Sequence, residues 1–291
     1  MPFEFLKLSE NALNELPRTQ TVIFYPVAPL EGFGPHLPVG NALNEAQAVA
    51  QLIAEKVEKE MPGWKALLYP PAPLGLETFT TSLAARVRGH VLRDYLVDTS
   101  RSLAKSGFRY FVCVSGSLTP KQLTAVEEAS KMTSKRGFFG QNRIVFVSAS
   151  SALVTAKTVL SSPLKALAPE HGGTRDTSVA LAITPDHVGP MYLQLPQVSR
   201  SKNWLKRTIS GYWGAPASAS RDQGEKILVD TVHEIFPKLR AVLEGTPPGS
   251  LFRSWYSIIP SNKSFYKAWI LFFALLALIL IWILMFSRGQ I

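Results

Sequence analysis

The 291 residues suffice for one large domain or two small ones with a buried core. A content of 46% hydrophobic and 18% charged residues is apolar for a purely soluble protein, and the single cysteine excludes an internal disulfide. The net charge of +10, from 31 basic and 21 acidic residues, comes with no nucleic-acid-binding motif, so no nucleic-acid partner is expected.

The chain opens on MPFEFLKLSEN, which lacks the basic and apolar regions of a signal peptide. Val22 to Val27 is an apolar run that predicts a strand. From Glu45 to Val57 the apolar residues recur at helical spacing, and Lys65 to Tyr69 predicts a short strand before a proline-rich loop. A helix is predicted over Gly89 to Lys105, stopped at Gly107. A strand follows at Phe108 to Val114, with Cys113 inside it as a core thiol in a reducing compartment. Next come a helix from about Pro120, a strand at Arg143 to Val147, an apolar helix or strand at 178 to 183, and a long helix from Gln223 to Leu243. This alternation predicts an α/β fold, a mostly parallel sheet sandwiched by helices, over residues 1–245. In such sheets ligands sit beyond the carboxyl ends of the strands.

Residues 246–267 read as a linker. Ala268 to Phe286, AWILFFALLALILIWILMF, carries no charge, glycine or proline. As a helix it would be about 28 Å long, close to the ~30 Å hydrocarbon core of a bilayer, and it leaves no polar stripe. A C-terminal transmembrane helix is therefore expected over 268–286, with 287–291 as a short tail. Arg253, Lys263 and Lys267 precede it and Arg288 alone follows, which places the N-terminal domain in the cytoplasm by the positive-inside rule. The basic stretch holding Arg200, Lys202, Lys206 and Arg207 around Trp204 reads as a solvated loop or a contact for anionic lipid.

Four turn motifs carry the chemistry. They are Glu31-Gly-Phe-Gly-Pro-His-Leu-Pro-Val-Gly-Asn-Ala42, Val114-Ser-Gly-Ser-Leu-Thr119, His171-Gly-Gly-Thr-Arg-Asp-Thr-Ser178, and Gly211 to Gly224 at the start of the last helix. In this order they resemble the creatininase (creatinine amidohydrolase) family across roughly residues 20 to 245. The resemblance implies a metal-dependent amidohydrolase that uses two divalent ions, zinc or manganese, and homo-oligomeric assembly. It also implies that Glu31 matches the family's first glutamate ligand and His171 the histidine of its third motif, with Asp176 in place of a glutamate one methylene longer. Phe33 stands where the family has a histidine ligand, Ala42 where it has the bridging aspartate, and Ser117 where it has another histidine.

None of those three replacements is a strong ligand for zinc or manganese. The expectation is a pseudoenzyme with no cofactor, with Glu31, His36, His171 and Asp176 left around a vestigial pocket. On this reading it serves as a membrane-anchored interaction or assembly component, a homo-oligomer with a protein partner at the membrane. Two alternatives stay open. One is an altered amidohydrolase in which Glu31, His36, His171 and Asp176 form a one-metal or acid–base site, with a serine nucleophile at Ser115 or Ser117 weaker still. The other is a regulatory subunit that senses a ligand in the old pocket, with Phe33 filling the metal space.

Overall fold

A computed structural model describes residues 2–76, 84–134, 144–154, 170–199, 211–254 and 263–288, with the side chains of the last helix described from Trp269 to Met285. Five strands form one sheet: β1 (Phe3–Glu4), β2 (Thr21–Val27), β4 (Lys65–Leu68), β6 (Tyr110–Ser115) and β7 (Val145–Ser148). Their order is β1-β4-β2-β6-β7, and every neighbouring pair is parallel. A separate antiparallel pair, β3 (Leu30–Glu31) with β5 (Ala84–Ala85), sits beside the first motif.

The strands are apolar on both sides because both faces are covered. Alternate residues of β2 make this explicit. Val22 and Phe24 enter one core with α2 (Asn41–Glu60) and the helix Arg221–Leu243, while Ile23, Tyr25 and Val27 enter the other with Leu92 and Leu96 of α3 (Gly89–Lys105) and Ala125 of α4 (Pro120–Thr133). Cys113 lies wholly inside the second core as a free thiol, and burial holds its pKa well above the ordinary value. The expected parallel sheet with helices on both faces is what the chain forms.

Several boundaries differ from the sequence reading. Residues 178–183, open between helix and strand, belong to a helix, α5 (Thr174–Ile183), and the long helix α6 spans Arg221–Leu243. The helix α1 (Glu10–Glu15), held by the Ser9 side chain accepting from the Ala12 N–H, carries no pattern strong enough to have marked it.

Residues 246–254, placed in the linker by composition, lie against the domain. After the short turn Pro248–Ser250, Phe252 is buried in the α2/α6 core. The last element, α7 (Lys263–Arg288), is a 26-residue helix whose described side chains, Trp269 to Met285, are all exposed. Among the described residues no helix is long and apolar enough to cross a membrane. The basic stretch with Arg200, Lys202, Lys206 and Arg207, and most of the loop after Leu76, lie outside the described residues.

Candidate functional site

The four motifs meet at the carboxyl end of the sheet. The turn after β6 is seated on the start of α2: a Cβ at Gly116 would fall 1.9 Å from the Ala42 carbonyl oxygen, so only glycine permits this approach. The third motif meets the first in the same way, since a Cβ at Gly172 (φ 62°) would lie 2.3 Å from the Phe33 carbonyl oxygen. The fourth motif pairs with the third through two backbone hydrogen bonds between His171 and Trp213, of 3.1 and 2.9 Å. Residues far apart in sequence are thus fixed by backbone contact.

His171 is the centre of the assembly. Its ring stacks on Phe33 at 4.4 Å between centroids and 25° between planes, and on Trp213 at 4.9 Å and 27°. Its Nε2 is 2.7 Å from the Gly32 carbonyl oxygen, to which it donates when protonated. Burial lowers the His171 pKa, while Asp176 and the Gly32 carbonyl oppose the shift. A neutral imidazole between two aromatic rings, with Nε2 donating to a backbone carbonyl, is held as packing.

His36 is 2% exposed and its Nε2 lies 2.8 Å from Thr177 Oγ1. Burial depresses its pKa from 6.5 to about 4, against the pull of Asp176. The contact ties the first motif to α5, so His36 serves as a bolt between loop and helix. Glu31 ends β3 with its side chain buried, and its N–H donates to Val39 across the turn at 3.1 Å.

Asp176 is used structurally as well. Its Oδ2 accepts the Gly172 N–H at 2.8 Å, and its Oδ1 meets Arg175 Nη1 at 3.0 Å. Arg175 also engages both oxygens of Glu45 on α2, one of them at 3.0 Å. Burial works against the Arg175 charge, but Glu45 and Asp176 together hold its pKa above the ordinary arginine value. Sequence reading missed Glu45, Trp213 and Thr177 as members of this constellation. The adjacency of Arg175 and Asp176 inside a motif was the available signal, but the partner on α2 is 130 positions away.

Phe33, Ala42 and Ser117, for which the family resemblance implies donors, have these surroundings. Phe33 and Ala42 are buried in one apolar cluster with Ala28, Leu37, Ala180 and Val188. Ser117 faces Thr119, Oγ to Oγ1 at 3.2 Å, and its backbone N–H donates to Ser115 Oγ. Ser115 Oγ is itself committed to the Ser117 carbonyl at 2.8 Å, so neither serine has a base beside it in these contacts. Among the described residues no group of three or more His, Cys, Asp and Glu side chains is placed to hold a metal ion. A dinuclear zinc or manganese centre needs charged and imidazole donors around a bridging carboxylate, and this apolar cluster does not fit one.

Comparison with known proteins follows the architecture. A curated relative, the mycofactocin precursor peptide peptidase of Mycobacterium ulcerans (strain Agy99), is 26% identical over 262 residues, covering 84% of this chain and 94% of the relative. Among solved structures, a manganese creatininase is 21% identical with a TM-score of 0.65, covering 84% of this chain and 99% of that one. A zinc–zinc form of a mutant creatininase is 20% identical with a TM-score of 0.66 over the same shares of the two chains. A creatinine amidohydrolase-like structure from Bacteroides fragilis NCTC 9343 is 17% identical, with a TM-score of 0.56 over 87% of this chain and 98% of its own. The family description creatinine amidohydrolase matches residues 7–239, and the chain belongs to the creatininase family.

Proposed function

We propose that this chain is a creatininase-fold pseudoenzyme, anchored in a membrane by α7 and serving as an interaction or assembly component of a membrane-associated complex. One observation carries the reading: Phe33 and Ala42, at positions where the family resemblance implies a histidine and a bridging aspartate, are buried together in an apolar cluster, with Phe33 stacked on His171. Two nearby cations need carboxylate charge between them, and hydrocarbon supplies none.

The anchor rests on α7. Its described side chains span only the seventeen residues from Trp269 to Met285, but Ala268 and Phe286 extend the uncharged run to nineteen. A helix of 26 residues is about 39 Å long. Leucine, isoleucine, phenylalanine and tryptophan exposed around all its faces have no stable place in water. A bilayer covers them all at once, with Lys263 and Lys267 on the cytoplasmic side and the domain there too. Arg200, Lys202, Lys206 and Arg207 would add contact with anionic headgroups, and self-association would keep all the anchors on one face.

Hydrolysis is the second reading, with Glu31, His36, His171 and Asp176 as its candidate one-metal or acid–base set, because a relative is named a peptidase and His36 and His171 both lie within electrostatic reach of Asp176. Elemental analysis of the purified chain after dialysis, with assays on creatinine and on peptides, separates the two. The pseudoenzyme reading expects well under one zinc or manganese per chain and no turnover. Two ions per chain with turnover would establish the hydrolase.

A further inference from the structure

α7 runs as one helix from Lys263 to Arg288, with no glycine or proline along it to kink it. The charged residues that bound its apolar run, Lys267 and Arg288, are themselves helical. The run is therefore helical throughout, and the rise per residue sets its length. Nineteen apolar residues, Ala268 to Phe286, give about 28 Å along the axis.

Length acts in one direction only. A helix longer than the hydrocarbon is thick shortens its span by tilting, whereas no tilt lengthens one that is too short. Held upright, this run covers at most about 28 Å, and at the ordinary tilt of about 20° it covers about 27 Å. Bilayers differ by more than this margin. The hydrocarbon core is about 27 Å thick in membranes of the endoplasmic-reticulum type and about 32–33 Å in a sterol- and sphingolipid-rich plasma membrane. The first matches the run at its ordinary tilt. The second exceeds the upright helix by about 4–5 Å, so that Lys267 and Arg288 would have to snorkel outward or the bilayer would have to thin around the helix.

The aromatic residues give a second measure. Trp269, in the first turn of the run, stacks on Phe273 at 5.2 Å between centroids and meets Phe272 edge-on at 5.8 Å, so three large exposed rings are gathered at that end. The other tryptophan of α7, Trp282, is also exposed and lies thirteen residues further on (282 minus 269), about 20 Å along the axis. Indole rings settle at the boundary between hydrocarbon and headgroups. With Trp269 at one boundary, the backbone at Trp282 falls about 7 Å short of the other in the thin core, within reach of its own side chain, and about 13 Å short in the thick one. Both tryptophans are placed at boundaries only in the thin bilayer.

We infer that α7 is fitted to a thin bilayer, with a hydrocarbon core of about 27 Å like that of the endoplasmic reticulum, and not to a thick sterol-rich one. The inference rests on the anchor reading above and names the kind of membrane that the anchor takes. In a cell whose membranes differ in thickness, the chain then collects in the thinner ones.

The test uses the full chain reconstituted in vesicles of brominated dioleoyl phosphatidylcholine, whose bromines quench tryptophans within the bilayer. The quenching that a Trp269→Phe/Trp282→Phe double variant loses belongs to α7. Unbrominated phosphatidylcholine mixed into the vesicles displaces the quencher from the helix according to how well its chain length fits. Dierucoyl phosphatidylcholine, with longer chains and a thicker core, should restore the fluorescence severalfold less effectively than unbrominated dioleoyl phosphatidylcholine. Duplicating Leu278 to Ile281 adds four residues, about 6 Å of apolar helix, and should remove or invert that preference. Equal displacement by the two lipids, better displacement by the longer one, or a preference that the four added residues leave unchanged overturns the inference while the anchor stands. A chain that fails to float with the vesicles overturns the anchor reading itself, and this inference with it.

Discussion

Phe33 lies face to face with His171, ring centroids 4.4 Å apart, and Trp213 stacks on the same imidazole at 4.9 Å. An aromatic ring thus occupies the space beside the histidine where the family resemblance implies another donor. The stack joins the first, third and fourth motifs, so its contribution to stability is measurable. Phe33→Ala should cost about 3–5 kcal/mol, read from urea unfolding of the detergent-solubilised chain. A loss below about 1 kcal/mol would show that the surrounding loops collapse onto the gap.

Arg175 should be the least replaceable charge in the molecule. Arg175→Met leaves Glu45 and Asp176, which are 9% and 8% exposed, without their shared cation. The expected loss is about 3–5 kcal/mol. Adding Glu45→Leu should recover part of it, because the double variant no longer buries the Glu45 charge unpaired. A double variant as unstable as the sum of the two singles would argue that the pair is uncoupled.

Acid should weaken the fold through His36. Its pKa in the folded chain is about 4 against 6.5 for the ordinary group, so the unfolded chain binds the proton more readily between those values. Stability is full above pH 6.5 and falls as the pH drops toward 4, by about 1–3 kcal/mol after allowance for solvent screening. His171, lowered in the same direction, adds to the slope. His36→Gln should flatten the dependence in a series of unfolding curves across this window. An unchanged slope would move the titration elsewhere.

Cys113 should be inert in the native chain. It has no exposed surface and burial raises its pKa, so little thiolate forms and no reagent reaches it. A thiol reagent should label it only at the rate of global unfolding. Rapid stoichiometric labelling under native conditions would contradict the packing of β6.

Much of this protein is written locally. The alternation of β2, the spacing of α2 and the proline at the start of α4 each encode one face or one end of one element, and short-range sequence suffices to read them. That Phe33 and Ala42 offer no metal donor, and that the run from Ala268 to Phe286 is uncharged, are also facts of residue type. What fills the site is not. His171 between Phe33 and Trp213, Arg175 against Glu45, and Glu127 holding both Ser151 and Ser254 join residues separated by between 24 and 138 positions. Residues 246–254 have the composition of a linker, yet Phe252 is buried because α2, α6 and the end of the sheet leave a groove for it. Periodicity records how an element buries its own face. Which side chains then meet depends on how elements cross, and that is settled only when the sheet and helices pack together.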